Sequence, residues 1–296
     1  MKVGYRCSLC LVHRAYNQIL RATGDRQKRF EALSAVTEML GREFSPNAVP
    51  SLLSAKRDRM IKRLTSNLDP YYELKRSSNK MALEMLPKVK TLIESQPTKL
   101  DRFRLACKAA SIGNLIEYDI PGHDAFLEDP LELLEKEEFY IDDTKSFFNL
   151  AERSSDVLYL TDNAGEIAFD KLLVQQLKGL DCRVTIAVKG GPALNDALME
   201  DALEVGMDEV ADDLITTGTD AIGVNPVECS REFLESFYGF ELIVSKGMAN
   251  FETLTEIGPP SHTLFLLRVK CEPVAEALGA PMDRSIAKVV SRGFKL

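Results

Sequence analysis

From Asp156 onward, short apolar runs alternate with helix-like stretches, and that alternation constrains the second half of the chain more than any other feature. Residues 156–160 (Asp-Val-Leu-Tyr-Leu) read as a buried strand, and residues 167–177 carry helical periodicity. Residues 183–188 are a second strand, followed by a predicted helix at 195–205. Further strands are expected at 213–215, 241–245 and 263–269, with a helix at 230–237. Strands buried on both faces read as near-continuous apolar runs, and their alternation with helices predicts a mainly parallel sheet covered on both sides. The expected fold class is α/β, a three-layer sandwich spanning residues 153–296.

The first half lacks that rhythm. Apolar residues spaced three and four apart predict helices over 12–22, 27–42, 49–66, 72–85, 88–95, 100–116 and 142–152. Asn67-Leu68-Asp69-Pro70-Tyr71 marks a break, and turn signals fall at Pro121-Gly122 and Asp129-Pro130. Residues 1–152 are therefore expected to form a helical N-terminal region. A net charge of -8 argues against a general nucleic-acid binder, which normally presents a basic face. It leaves an anionic substrate open, because a bound metal ion reverses the local field. No apolar run approaches the ~20 residues of a membrane span, and the first residues lack the apolar core of a signal peptide. A cytoplasmic protein without membrane partners is the expectation. Six cysteines in 296 residues do not suggest a disulfide scaffold.

Candidate chemistry gathers where the strands end. In open α/β sheets, ligands bind beyond the carboxyl ends of the strands. The first strand runs into Thr161-Asp162-Asn163-Ala164-Gly165-Glu166, and the second into Lys189-Gly190-Gly191-Pro192 and then Asn195-Asp196. If these strands are neighbours, Asp162, Asn163 and Asp196 offer two carboxylates and an amide oxygen, the donors that hard divalent cations seek. Asp and Asn also cap helices and shape turns, and spacing alone favours that reading for both blocks. Lys246, Arg268 and Lys270 stand at two other strand ends as candidate phosphate ligands, against the plain alternative of solvated cations. Asp220, in Gly218-Thr219-Asp220, lies in a loop that either lines a pocket or simply turns. Asn114, at the end of a helix, either reaches the site or caps locally.

Taken together these blocks resemble the damage-control phosphatase family, also described as the acidic-residue-methyltransferase-like domain. The residues that carry the resemblance are Gly113-Asn114, Thr161 to Glu166, Asn195-Asp196, Gly218-Thr219-Asp220, Lys246-Gly247, Asn250-Phe251-Glu252 and Arg268-Val269-Lys270-Cys271. Cys7-Ser8-Leu9-Cys10 resembles the CxxC of the family's stand-alone prokaryotic branch. The resemblance implies a metal-dependent phosphatase acting on small damaged or surplus phosphorylated metabolites. It implies metal ligands at Asp162, Asn163 and Asp196, with Mn2+, Ni2+, Co2+ or Mg2+ as the ion. It further assigns phosphate or substrate contacts to Asn114, Glu166, Asp220, Lys246, Asn250, Arg268 and Lys270. The Arg-Thr-x-Lys signature of one branch is absent, since this chain reads Arg268-Val269-Lys270, so that branch's sugar-phosphate preference does not carry over.

The expected reaction is metal-assisted hydrolysis of a phosphate monoester. Ala164 stands where haloacid-dehalogenase phosphatases place a second Asp, which favours direct attack by water over a phospho-enzyme. Two rivals belong to other classes. S-adenosylmethionine-dependent carboxyl methyl transfer is the first, although the turn after the first strand holds a single Gly and no GxGxxG. A non-catalytic metal- or metabolite-binding protein is the second. Cys7 and Cys10 have zinc-site spacing without a second CxxC, and small apolar packing is the favoured reading over a disulfide or metal. His13, His123 and His262 form no metal or triad spacing. Oligomeric state is not legible.

Overall fold

The structure is a computed structural model that describes residues 1–112 and 130–296. It opens with helices α1 (Cys7–Ala22), α2 (Arg26–Glu43), α3 (Pro50–Thr65), α4 (Tyr72–Glu94) and α5 (Lys99–Ile112). Asp25 caps α2 by accepting from the backbone amides of Gln27 and Lys28, and Pro50 starts α3 at a position where its missing N–H costs nothing. The two helices expected at 72–85 and 88–95 form one, with Pro87 inside it. Proline forfeits a backbone hydrogen bond there. Burial of Ala82, Val89 and Ile93 on one face carries the helix through. Asn114, His123 and the turn-rich segment beginning at 117 lie outside the described residues.

The chain continues through α6 (Pro130–Lys136), β1 (Phe139–Asp142), α7 (Thr144–Ala151), β2 (Asp156–Leu160), α8 (Glu166–Lys178), β3 (Arg183–Val188), α9 (Met199–Glu204) and β4 (Asp213–Thr216). It ends with α10 (Arg231–Gly239), β5 (Leu242–Lys246), α11 (Gly247–Ile257), β6 (His262–Arg268), α12 (Glu272–Leu278) and β7 (Ser285–Val290). The strands form one sheet in the order β1-β7-β6-β5-β2-β3-β4. Strands β2 to β6 run parallel to one another; β7 is antiparallel to β6, and β1 pairs parallel with β7. The expected α/β architecture is what the chain adopts, a helical N-terminal region and a mixed, mainly parallel sheet between helical layers. Strands β1 and β7 were not anticipated. Phe139-Tyr140-Ile141-Asp142 is short and half polar, and Ser285 to Val290 carries Lys288 in its middle.

Alternation along the central strands builds two cores. Val157 and Tyr159 face Phe103, Phe147, Ile167 and Leu173 of the helices on one side. Leu158 and Leu160 face Phe233, Phe237, Phe251 and Val274 on the other. Helices α4 and α5 therefore cover the sheet, whereas α1, α2 and α3 pack mainly on each other through residues such as Leu11, Ile19, Val36 and Ile61. Among the described residues no helix is long and apolar enough to cross a membrane.

The strand order places the site. From β2 the chain moves outward to β3 and β4, then returns to lay β5 on the other side of β2. The crevice between the ends of β2 and β5 is thus a topological switch point, where open sheets bind ligands. Phe103, fully buried and edge-on to Phe148 at 5.6 Å, joins α5 to this core. Phe103→Ala is expected to cost about 3–5 kcal/mol, read from the shift in the urea unfolding curve.

Candidate active site at the switch point

Asp162 and Asn163 leave the end of β2 and meet Asn195 and Asp196 through a short backbone ladder. Ala164 N donates to Asn195 O at 2.9 Å, and Ala197 N donates to Asp162 O at 2.8 Å. Asn163 and Asp196 form an antiparallel bridge between them. Neither pair caps a helix. The N-cap of α8 is Gly165 without a side-chain cap bond, and α9 begins only at Met199. The predicted helix at 195–205 thus starts later than expected, because after a turn at 194–195 Asp196 and Leu198 are bridged to Asn163 and Lys189 at the β2 and β3 ends. The capping reading that spacing favoured does not describe these residues.

Two glycines set the close approaches. Gly247 opens α11 at a φ of 79°, and a Cβ added there would fall 2.1 Å from Asp162 Oδ2. The Asp162 carboxylate therefore lies directly against the start of α11, where the helix dipole favours negative charge. Gly165, with a φ of 78°, is covered by Ser78 of α4, and Asn79 Oδ1 accepts from its amide at 2.7 Å. The turn after β2 is packed against α4, so its backbone does not lie open in the way a methyltransferase cofactor loop requires.

Asp162, Asn163 and Asp196 all line a cavity of about 440 Å³ between the sheet ends and helices α1 and α3. Asn163 Nδ2 donates to Asp162 Oδ2 at 3.1 Å and to Glu166 Oε2 at 3.3 Å. Its amide nitrogen is thereby committed, which turns the amide oxygen to the other side as an acceptor. Lys189 Nζ lies 3.5 Å from Asp196 Oδ2 while donating to Gly223 O at 2.8 Å. Among the described residues no three His, Cys, Asp or Glu side chains group as a metal cage. The set on offer is two carboxylates and one amide oxygen, hard donors suited to a divalent ion that keeps water or phosphate oxygens in its remaining positions. On that donor chemistry the residues fit such an ion.

The remaining expected residues divide. Arg268 and Lys270 line the same cavity, and Arg268 also pairs with Glu137 at 3.3 Å. Lys246 is not brought there. Its ammonium is fully buried, bonded to Glu166, to Asp170 at 2.7 Å and to Ala110 O at 2.8 Å. Burial pulls Lys246 down, and the Asp170 and Glu166 carboxylates more than reverse that, holding it above its ordinary value. Burial pushes both carboxyls up against the pull of Lys246. Glu166 belongs to this buried cluster and reaches the site by accepting from Asn163 Nδ2. Asn250 Nδ2 donates to Thr161 O at 3.1 Å and Lys246 O at 2.9 Å, stitching the β2 and β5 ends together beneath the site. Asp220 lies in a separate groove, paired with Arg59 at 2.7 Å and Lys62 at 2.9 Å.

Other cavity residues escaped the sequence reading. Glu252 of α11 lines the cavity with its carboxyl pushed up by burial, although Ser51 donates to it. Arg14 and Arg57 arrive from α1 and α3. A signal for Arg57 exists, since it interrupts the i, i+4 apolar stripe Leu53–Arg57–Ile61. Cys7 and Cys10 on α1 and Cys271 at the start of α12 share the cavity as free thiols. Burial pushes Cys7 up and Cys271 to about 12, so these two are protonated at neutral pH rather than thiolates.

Two variants check this geometry. Gly247→Ala must displace the Asp162 carboxylate and strain a left-handed backbone by about 1–2 kcal/mol; the expected result is a folded protein with weakened divalent-ion binding by calorimetry. Lys246→Met leaves two buried carboxylates without their ammonium and is expected to cost about 3–5 kcal/mol near neutral pH. Those carboxyls, already raised by burial, favour the folded state when protonated, so the deficit should shrink as pH falls toward 5. Urea midpoints of both proteins across pH 5–8 test the sign. The wild-type contribution of Lys246, raised above its ordinary 10.5, persists throughout that window and fades only at strongly alkaline pH.

Comparison with known proteins shows the family. The sequence model of the damage-control phosphatase ARMT1-like domain matches residues 3–286. A Pyrococcus horikoshii protein named as a damage-control phosphatase is 36% identical over 282 residues, covering 95% of this chain and 96% of its own. An Archaeoglobus fulgidus protein of the same name is 34% identical over 293 residues, 98% of this chain and 100% of its own. The crystal structure of a P. horikoshii protein, titled as a DUF89 family protein, superposes with a TM-score of 0.87 at 34% identity over 99% of both chains. This chain belongs to the damage-control phosphatase ARMT1-like family.

Proposed function

We propose that the protein is a metal-dependent phosphatase that hydrolyses monoesters of small phosphorylated metabolites. Family membership supports phosphatase-type chemistry in metabolite repair. The observation that carries the finer reading is the meeting of Asp162, Asn163 and Asp196 from two strand ends in one cavity that also holds Arg268 and Lys270.

Asp162 and Asp196, with the amide oxygen of Asn163, would hold a divalent ion such as Mn2+, Ni2+, Co2+ or Mg2+. Such an ion, when bound, polarises a phosphoryl oxygen and lowers the pKa of an attacking water. Lys270 and Arg268 add positive charge on the same side of the cavity, where the equatorial oxygens of a transferring phosphoryl group need it. Helices α1 and α3 wall the cavity on the side away from the sheet. Asp162, Asn163 and Asp196 are themselves buried, and removal from bulk water strengthens each electrostatic contact. Beneath the site, Asn163 is kept oriented by Glu166, which Lys246 in turn holds. Glu166 and Lys246 thus act by positioning, and Asn250 by joining the two strand ends. Asp220 has no part in this reading.

The test is release of inorganic phosphate from p-nitrophenyl phosphate and from a panel of phosphorylated metabolites, repeated with each ion and after chelation. Activity should vanish with EDTA and return with the divalent ion. Asp162→Ala or Asp196→Ala, each with an unchanged circular dichroism spectrum, should lower kcat/KM by roughly 10²-fold or more. Undiminished turnover of either variant in excess manganese would end the proposal.

A further inference from the structure

Arg57 lines the cavity and has no part in the chemistry above. It sits in the middle of α3, and its side chain is fully buried. Its Nε, Nη1 and Nη2 atoms have no hydrogen-bond acceptor among the described residues. The neighbouring carboxylate does not answer it: Asp58 accepts from Gln18 at 2.6 Å and pairs with Lys62 at 2.7 Å. Arg14, also on the cavity wall, adds charge of the same sign. Burial pulls the Arg57 guanidinium below its ordinary value, and so intrinsically basic a group still stays charged near neutral pH. A buried, unpaired cation is costly to keep. Arg57 also lines the cavity, and its rigid fork of five donors is the geometry that receives a carboxylate or phosphate in bidentate fashion.

Arg57 comes from a different element than the residues of the reacting end. Arg268 and Lys270 extend from the end of β6, and Lys270 is near enough to Glu166 to pull that carboxyl down. Arg57 belongs to the helical wall, where Tyr71, Arg14, Asp58 and Cys10 are its charged or ionisable neighbours. A cavity of about 440 Å³ is far larger than a phosphate ion, so a ligand that touches both ends fits within it.

We propose that Arg57 anchors a second anion subsite, so that the substrate carries a carboxylate or a further phosphate besides its reacting phosphoryl group. The substrate part of this inference rests on the phosphatase reading; the anion subsite does not. A substrate lacking the second anion leaves the guanidinium buried and unpaired in the complex, and sites built to bond a group discriminate strongly against analogues without it.

Three measurements on the full chain test it. First, EDTA-treated protein is titrated with inorganic phosphate by calorimetry. The wild type should bind, Arg57→Lys should retain part of the affinity, and Arg57→Gln should lose about tenfold or more; equal binding by wild type and Arg57→Gln, or none by wild type, overturns the subsite. Second, Arg57→Met removes the unpaired charge and should melt no lower than wild type in anion-free buffer. A marked fall in Tm, or failure to fold, would assign Arg57 a structural role and overturn the proposal. Third, kcat/KM is compared for p-nitrophenyl phosphate and for monoesters bearing a carboxylate or second phosphate. The Arg57→Gln loss on the best two-anion ester should exceed the loss on p-nitrophenyl phosphate by at least tenfold and appear mainly in KM; equal losses would overturn it. If no ester is hydrolysed with any ion while phosphate binding still depends on Arg57, the phosphatase reading falls and the anion subsite stands.

Discussion

The site rests on a buried ammonium. Lys246 closes β5 and reaches under the sheet end to Glu166 and Asp170 on α8 and to the last turns of α5. Tyr159 of β2 donates to the same Asp170 oxygen at 2.7 Å. One charge cluster therefore joins two central strands and two covering helices at the level where the cavity begins. Burial drives each carboxylate toward protonation, and the shared ammonium opposes that. Such clusters contribute little net stability but are severe when broken. Their effect here is geometric, because Glu166 also accepts from Asn163 and so sets which end of that amide faces the cavity.

Above this base, the cavity is made from two layers with different tasks. The sheet ends contribute short, stiffly held side chains whose backbones are cross-bonded, as between residues 162–164 and 195–197. The helical wall contributes longer ones, Arg14 and Arg57, on helices that pack mainly on each other. Ser51 of α3 donates to Glu252 of α11, which ties the two layers at the cavity rim. That division suits a site where one end needs precise placement for chemistry and the other needs charge and shape for recognition.

Several cavity-lining residues were legible because strand ends are legible. Asp162, Asn163, Asp196, Arg268 and Lys270 each follow an apolar run, and parallel strands present their carboxyl ends on one edge. Lys246 and Asp220 stand at equally suggestive places, yet their side chains go elsewhere: one turns under the sheet toward Asp170, the other outward to Arg59 and Lys62. Backbone position tells where a side chain starts, and only its partners decide where it ends. The cap reading of Asp162 and Asp196 gave way for a related reason. A residue caps a helix only if the helix starts beside it, and here a backbone ladder between 162–164 and 195–197 intervenes, so that Gly165 is the N-cap of α8 and α9 starts only at Met199.

By itself the sequence determined the α/β class, the helical first half, the central parallel strands and the blocks that resemble the family. These follow from local periodicity and residue type, which do not depend on distant contacts. Tertiary structure alone decided that α4 and α5 cover the sheet, that β1 and β7 extend it, and that Arg57 lines the cavity with no hydrogen-bond acceptor among the described residues. Each of those outcomes depends on which surfaces meet across long stretches of chain, and burial of charge cannot be read until the neighbours that bury it are in place.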